Sequence, residues 1–96
     1  SAASDVYKRQ TFIMRYDRPG TECSFMLEVF DFAGRKLWTH TEEGMSEDGI
    51  YRVNWNLTTS TGMPLSTGVY LYRATVSTPD SKAVSRANKI IILGNK

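Results

Sequence analysis

A single cysteine, Cys23, stands in a chain of 96 residues, so an internal disulfide and any multi-cysteine zinc site are excluded. There is one histidine, His40, which leaves little material for imidazole chemistry. No apolar run approaches the ~18 residues that would suggest a membrane-spanning helix; the longest, Ile90-Ile91-Ile92-Leu93, is far too short. Charge of one sign is also scarce. Twelve basic and ten acidic residues leave a net charge of +2, and the cations are scattered with no run longer than two, so nucleic acid is not an expected partner. A chain of this length holds one small core and cannot hold the barrel or doubly wound architectures of many enzymes.

The first ten residues, SAASDVYKRQ, fit nothing that follows. They lack the apolar centre of a secretory signal. They match the translation of a transposon-end adapter used in sequencing libraries, so Ser1–Gln10 is expected to be an adapter-derived artefact. On that reading the native polypeptide begins near Thr11, residues 11–96 form the domain, and its upstream part is missing.

What remains reads as strands and turns throughout. Thr11–Tyr16 is rich in β-formers and stops at Asp17-Arg18-Pro19-Gly20. From Ser24 to Asp31, Phe25, Leu27 and Val29 alternate with Met26, Glu28 and Phe30, which predicts a strand with the first set inward and a partly wet opposite face. Ala33-Gly34 is a tight connection to a hairpin partner at Lys36–Thr41. Glu42–Gly49 is acidic and aperiodic, the pattern of a loop. Ile50–Trp55 puts Tyr51, Val53 and Trp55 on one face. After a polar connection, Val69–Val76 is the clearest strand, and Thr78-Pro79-Asp80-Ser81 turns into a last strand at about Ala83–Leu93. No window has a 3.6-residue apolar period. The expected fold is all-β, an immunoglobulin-like β-sandwich of about six to seven antiparallel strands, with Trp55 as its core anchor.

Several segments together resemble one family. Tyr16-Asp17-Arg18-Pro19-Gly20 is similar to its HDRPG-type turn. Val29-Phe30-Asp31-Phe32-Ala33-Gly34-Arg35-Lys36-Leu37-Trp38-Thr39 resembles its VYDLSGRxVW hairpin, and Val53–Leu57 with Gly68–Arg73 resembles its WDG…GVYLYRV core. Lys89-Ile90-Ile91-Ile92 resembles its terminal KKLIIL strand. These are marks of the C-terminal region of the PorU family, gingipain-like C25 cysteine peptidases that act as sortases of the type IX secretion system in Bacteroidetes. One departure is Asn56-Leu57, where the family has Asp-Gly, so a different turn is expected there.

The resemblance implies a non-catalytic sorting or interaction module at the cell surface, associated with the outer membrane. The parent would be a peptidase whose catalytic domain lies upstream, and the partner a secretion-system outer-membrane protein of PorV type. Part of the same skeleton also resembles FlgD-like immunoglobulin modules and the sorting domains of other secreted proteins, which is the alternative reading.

Chemistry within the chain itself is sparse. Cys23 and His40 invite a Cys–His dyad, but a small sandwich offers no obvious cleft or orienting third group, so no catalytic residue is assigned. Glu42, Glu43, Glu47 and Asp48 lack the alternating spacing of a calcium loop, so no metal or cofactor is expected. The candidate partner contacts are Phe30 and Trp38, read as sharing an outer face, and the strand edge at Ile90, Ile91 and Ile92.

Overall fold

The computed structural model describes residues 10–15, 20–45, 47–79 and 81–92. Six strands occupy them, in the order β1 Gln10–Arg15, β2 Glu22–Phe30, β3 Lys36–Met45, β4 Ile50–Trp55, β5 Gly68–Thr78 and β6 Ser81–Ile92. All pairings are antiparallel, in a two-stranded sheet β1-β4 and a four-stranded sheet β3-β2-β5-β6. The two sheets pack as a sandwich.

The period-two patterns decide which side chains meet between the sheets. Phe25, Leu27 and Val29 on β2 face Phe12 and Met14 on β1 and Tyr51, Val53 and Trp55 on β4, and all are buried. Tyr70, Ala74 and Val76 add the inner face of β5. Rings carry much of the contact. Phe25 stacks on Tyr51 at 5.2 Å, Phe12 meets Tyr72 at 5.0 Å and Trp55 at 5.9 Å, and Trp55 stacks on Trp38 at 5.3 Å. Aromatic pairs at such separations add to the hydrophobic stabilisation of the area they bury. The Trp55 indole N–H donates to the Thr58 carbonyl at 2.8 Å, so the same ring also ties down the loop after β4.

Two sequence expectations change, at the segment from Glu42 and at Trp38. The stretch from Glu42 is no loop at its start, because β3 continues to Met45. Glu22, Cys23 and Ser24 offer it ladder partners, pairing with Met45, Gly44 and Glu43. Gly44 takes φ 144°, a backbone value that L-residues with side chains rarely adopt. Acidic side chains are tolerated there because β3 is an edge strand, where charge also discourages unwanted pairing. At the Asn56-Leu57 departure, Leu57 itself adopts the left-handed conformation, φ 61°, that the family's glycine would enter freely. Its carbonyl accepts from the Leu65 N–H at 3.1 Å, and its side chain packs against the core, which holds the residue in place.

The second change concerns Trp38. The ladder between β2 and β3 shifts at Val29/Phe30: Phe30 pairs with Lys36, but Val29 pairs with Trp38. Leu37 is the extra residue. A bulge of this kind reverses the alternation beyond it, so Trp38 points inward beside Val29 and not outward with Phe30.

The turn Asp17–Pro19, Asp80 and the end of the last strand at Leu93 lie outside the described residues, as does Ser1–Arg9 of the adapter-like segment; Gln10 is the first residue of β1.

Trp55 is only 2% exposed and touches rings from β1 and β3. Trp55→Ala should cost about 3–5 kcal/mol, most of the stability a domain of this size has. Denaturant titration measures it. A midpoint close to that of the parent would remove Trp55 from its role as anchor.

Candidate interaction surface

The outer face of the four-stranded sheet carries polar chemistry at its centre. Glu28 on β2 points to that face, yet it is only 3% exposed. Arg73, its register partner on β5, places two guanidinium nitrogens on Oε1 at 2.8 and 2.9 Å, and Lys36 at the start of β3 places Nζ on Oε2 at 3.0 Å. The face is partly wet as expected, with Ser24 and Arg73 exposed, but Glu28 itself is not. The two long side chains lie across the carboxylate and keep their own ends about half in solvent. Burial pushes the Glu28 carboxyl up, but the hydrogen bonds and charges of Lys36 and Arg73 outweigh it and hold it below the usual glutamate range.

An apolar strip lies beside this cluster. The Arg73 guanidinium carbon sits 5.6 Å from the Phe30 ring centroid, so the cation covers part of the ring. Phe30 pairs with Leu71, and on the next strand Val69 pairs with Ile91. Ile91 is 73% exposed and Val69 41%. The strip is bordered by Lys36, Arg73 and Lys89, against one buried carboxylate.

The five expected contacts do not form one surface. Phe30 and Ile91 are on the outer face. Trp38 is inside, between Trp55 and His40, with the His40 ring stacked at 6.0 Å. Ile90 packs half-buried against the core and Ile92 is buried in it. The sequence reading missed Val69 and Leu71 as outer-face residues. Their alternation with Tyr70 and Tyr72 was a usable signal once the tyrosines were assigned inward.

Cys23 and His40 are not brought together. Cys23 pairs with Gly44, and His40 pairs with Leu27, four positions along, which is about 13 Å at strand spacing. The buried Cys23 thiol donates to the Thr21 carbonyl at 3.3 Å, while His40 Nε2 lies 3.2 Å from Glu42 Oε2. Among the described residues no group of three or more His, Cys, Asp or Glu side chains is arranged to hold a metal ion. None of their helices is long and apolar enough to cross a membrane.

The connection between β2 and β3 is fixed by one side chain. Asp31 Oδ1 accepts from the Ala33 and Arg35 N–H groups at 3.0 and 2.9 Å, and Oδ2 accepts from Arg35 Nε at 2.8 Å. The Arg35 backbone bond holds the Asp31 carboxyl below its ordinary range against the opposing effect of burial, with further help from the Arg35 side chain. This Asp-x-Ala-Gly-Arg turn is the centre of the hairpin that carries Phe30 and Lys36.

With this geometry the chain matches a solved structure. The crystal structure of dimeric latent PorU from Porphyromonas gingivalis superposes with a TM-score of 0.79 at 29% identity, over 95% of this chain. The chain is a PorU-related domain. It spans 9% of that PorU chain, so it corresponds to a small part of the larger protein. No family profile and no curated protein matches the sequence.

The Glu28 cluster gives a pH signature. A carboxyl whose folded pKa is depressed stabilises the fold above its unfolded value of about 4.3, and that contribution is lost as pH falls through the folded value. Glu28→Gln should therefore lower stability at pH 7 by about 1 kcal/mol, since both cations are half in solvent. It should also remove part of the acid sensitivity below about pH 4. Thermal melts of both proteins between pH 7 and pH 2.5 check this; parallel curves would mean the cluster contributes nothing to stability.

Proposed function

We propose that this chain is a non-catalytic interaction and sorting module of a type IX secretion sortase. It sits at the C-terminus of a larger surface cysteine peptidase, with residues 11–96 as the module and the peptidase domain upstream. The observation that carries the reading is the similarity to PorU over nearly the whole chain but only 9% of PorU. The separation of Cys23 from His40 supports a binding role over a catalytic one. An exported, outer-membrane-associated location follows from the same relation, and the partner is a secretion-system outer-membrane protein of PorV type.

The contact surface is the outer strip of Phe30, Leu71, Val69 and Ile91. Val69 and Ile91 are exposed and Phe30 and Leu71 half-buried, and apolar side chains on a sheet face with a charged border are what a protein interface offers. The alternative is a sorting domain of another secreted protein built on the same skeleton. The reading frame upstream of Thr11 separates the two: a gingipain-like peptidase domain supports the first, an adhesin or hydrolase the second.

The binding test must avoid Trp38, whose loss would damage the core. Phe30→Ser combined with Ile91→Ser should weaken capture by the PorV-type protein of the same organism at least tenfold, by about 1.4 kcal/mol or more. The melting temperature should fall by only a few degrees. Undiminished capture by the folded double variant would move the contact elsewhere. Cleavage of a sorting-domain peptide by residues 11–96 alone would overturn the non-catalytic reading.

A further inference from the structure

β6 ends the four-stranded sheet, and among the described residues no strand pairs with its outer side. It is twelve residues long, which is ample for strand addition. Its sequence, SKAVSRANKIII, contains Lys82, Arg86 and Lys89 and no carboxylate. Residues 85–89 are all exposed, as is Ile91. Cations along an edge are a common means of preventing a sheet from pairing with its own kind. Two β6 edges brought together would oppose like charges.

The ladder also assigns which amides face away from β5. In an antiparallel pair, alternate residues direct their backbone groups to opposite edges. The Lys89 N–H donates to the Asn88 Oδ1 at 2.8 Å, which turns residue 89 to the free edge and with it residues 85, 87 and 91. Along that edge Lys89 and Ile91 point to the outer face and Arg86 to the inner face. The chain's own acidic segment does not suit the site in a second copy, because Glu42 and Glu43 on β3 are engaged by His40 and Ser24.

From this charge pattern we infer that the β6 edge receives an extended, acidic peptide segment of a partner protein, added antiparallel as a fifth strand, with an apolar residue opposite Ile91 and carboxylates opposite Lys89 and Arg86. This rests on the binding-module reading above and supplies the chemistry of what is bound. Asn88 acts as a removable cap. Its side chain satisfies Lys89 until a strand takes its place.

The probes are two synthetic peptides, Val-Thr-Glu-Thr-Val-Glu-Thr and the same sequence with lysine in place of glutamate, titrated into the full chain by NMR. The glutamate peptide should bind at least about tenfold more tightly, since two cross-strand charge pairs change from favourable to unfavourable. It should shift the amides of Ala87 and Ile91, and its advantage should shrink between about 50 and about 500 mM salt. Arg86→Glu with Lys89→Glu should reverse the preference. Asn88→Ala should raise affinity, and Ala87→Pro should abolish binding while leaving the β5 ladder, because the lost N–H faces the free edge. Equal binding of the two peptides, shifts confined to Phe30 and Leu71, or concentration-dependent self-association through β6 would each overturn the inference. If a PorV-type protein is captured while neither peptide binds, the edge inference fails and the proposed function stands. If the charge preference holds without such capture, the edge stands and that partner falls.

Discussion

A run of four rings holds the two sheets in one arrangement. Trp38 on β3 stacks on Trp55 of β4, Trp55 meets Phe12 of β1, and Phe12 meets Tyr72 of β5. The first and last of these contacts cross between the sheets and the middle one joins the two strands of the smaller sheet, so shifting either sheet by one residue would break two at once. The bulge at Leu37 makes this possible by rotating Trp38 inward beside Val29. Without it the β3 ring would lie outside and Trp55 would lose one of its two flanking rings. The Asp31 turn, three residues from Lys36 at its Ala33 contact, sets the start of that bulged strand through three short hydrogen bonds.

This division of labour explains what the sequence could reveal. Phe25, Leu27 and Val29, or Tyr51, Val53 and Trp55, are legible because an uninterrupted strand has a strict period of two. The β-sandwich follows from such runs. Trp38 was not legible, because a bulge is a property of two strands in register and neither strand alone records the extra residue. The continuation of β3 through Glu42 and Glu43 was hidden for a related reason. Composition suggested a loop, and only the partner residues Glu22–Ser24 make it a ladder. Glu28 looked like a solvent marker, since burial of its carboxylate depends on Arg73, 45 positions away in the chain.

The same partition bears on the candidate surface. Because the inner rings carry the packing, the outer apolar residues are not required by the core, and Ile91 at 73% exposure has no structural reason to be isoleucine. Phe30 is a middle case: its ring is partly covered by Arg73, which is itself held by Glu28. The buried carboxylate thus aims a guanidinium that would otherwise sample many rotamers. Fixing it beforehand lowers the entropy that a partner's contact with Arg73 would cost.

Two surfaces now meet at one strand. Ile91 belongs to the outer strip with Val69, and its N–H belongs to the free edge of β6. A partner that adds a strand there extends the sheet, and its own outward side chains continue the strip that Phe30, Leu71 and Val69 begin. Backbone hydrogen bonds then supply the geometry, while the apolar strip and the charges of Lys89 and Arg86 supply selectivity. The like charges of Arg86 and Lys89 disfavour pairing of this edge with another copy of itself.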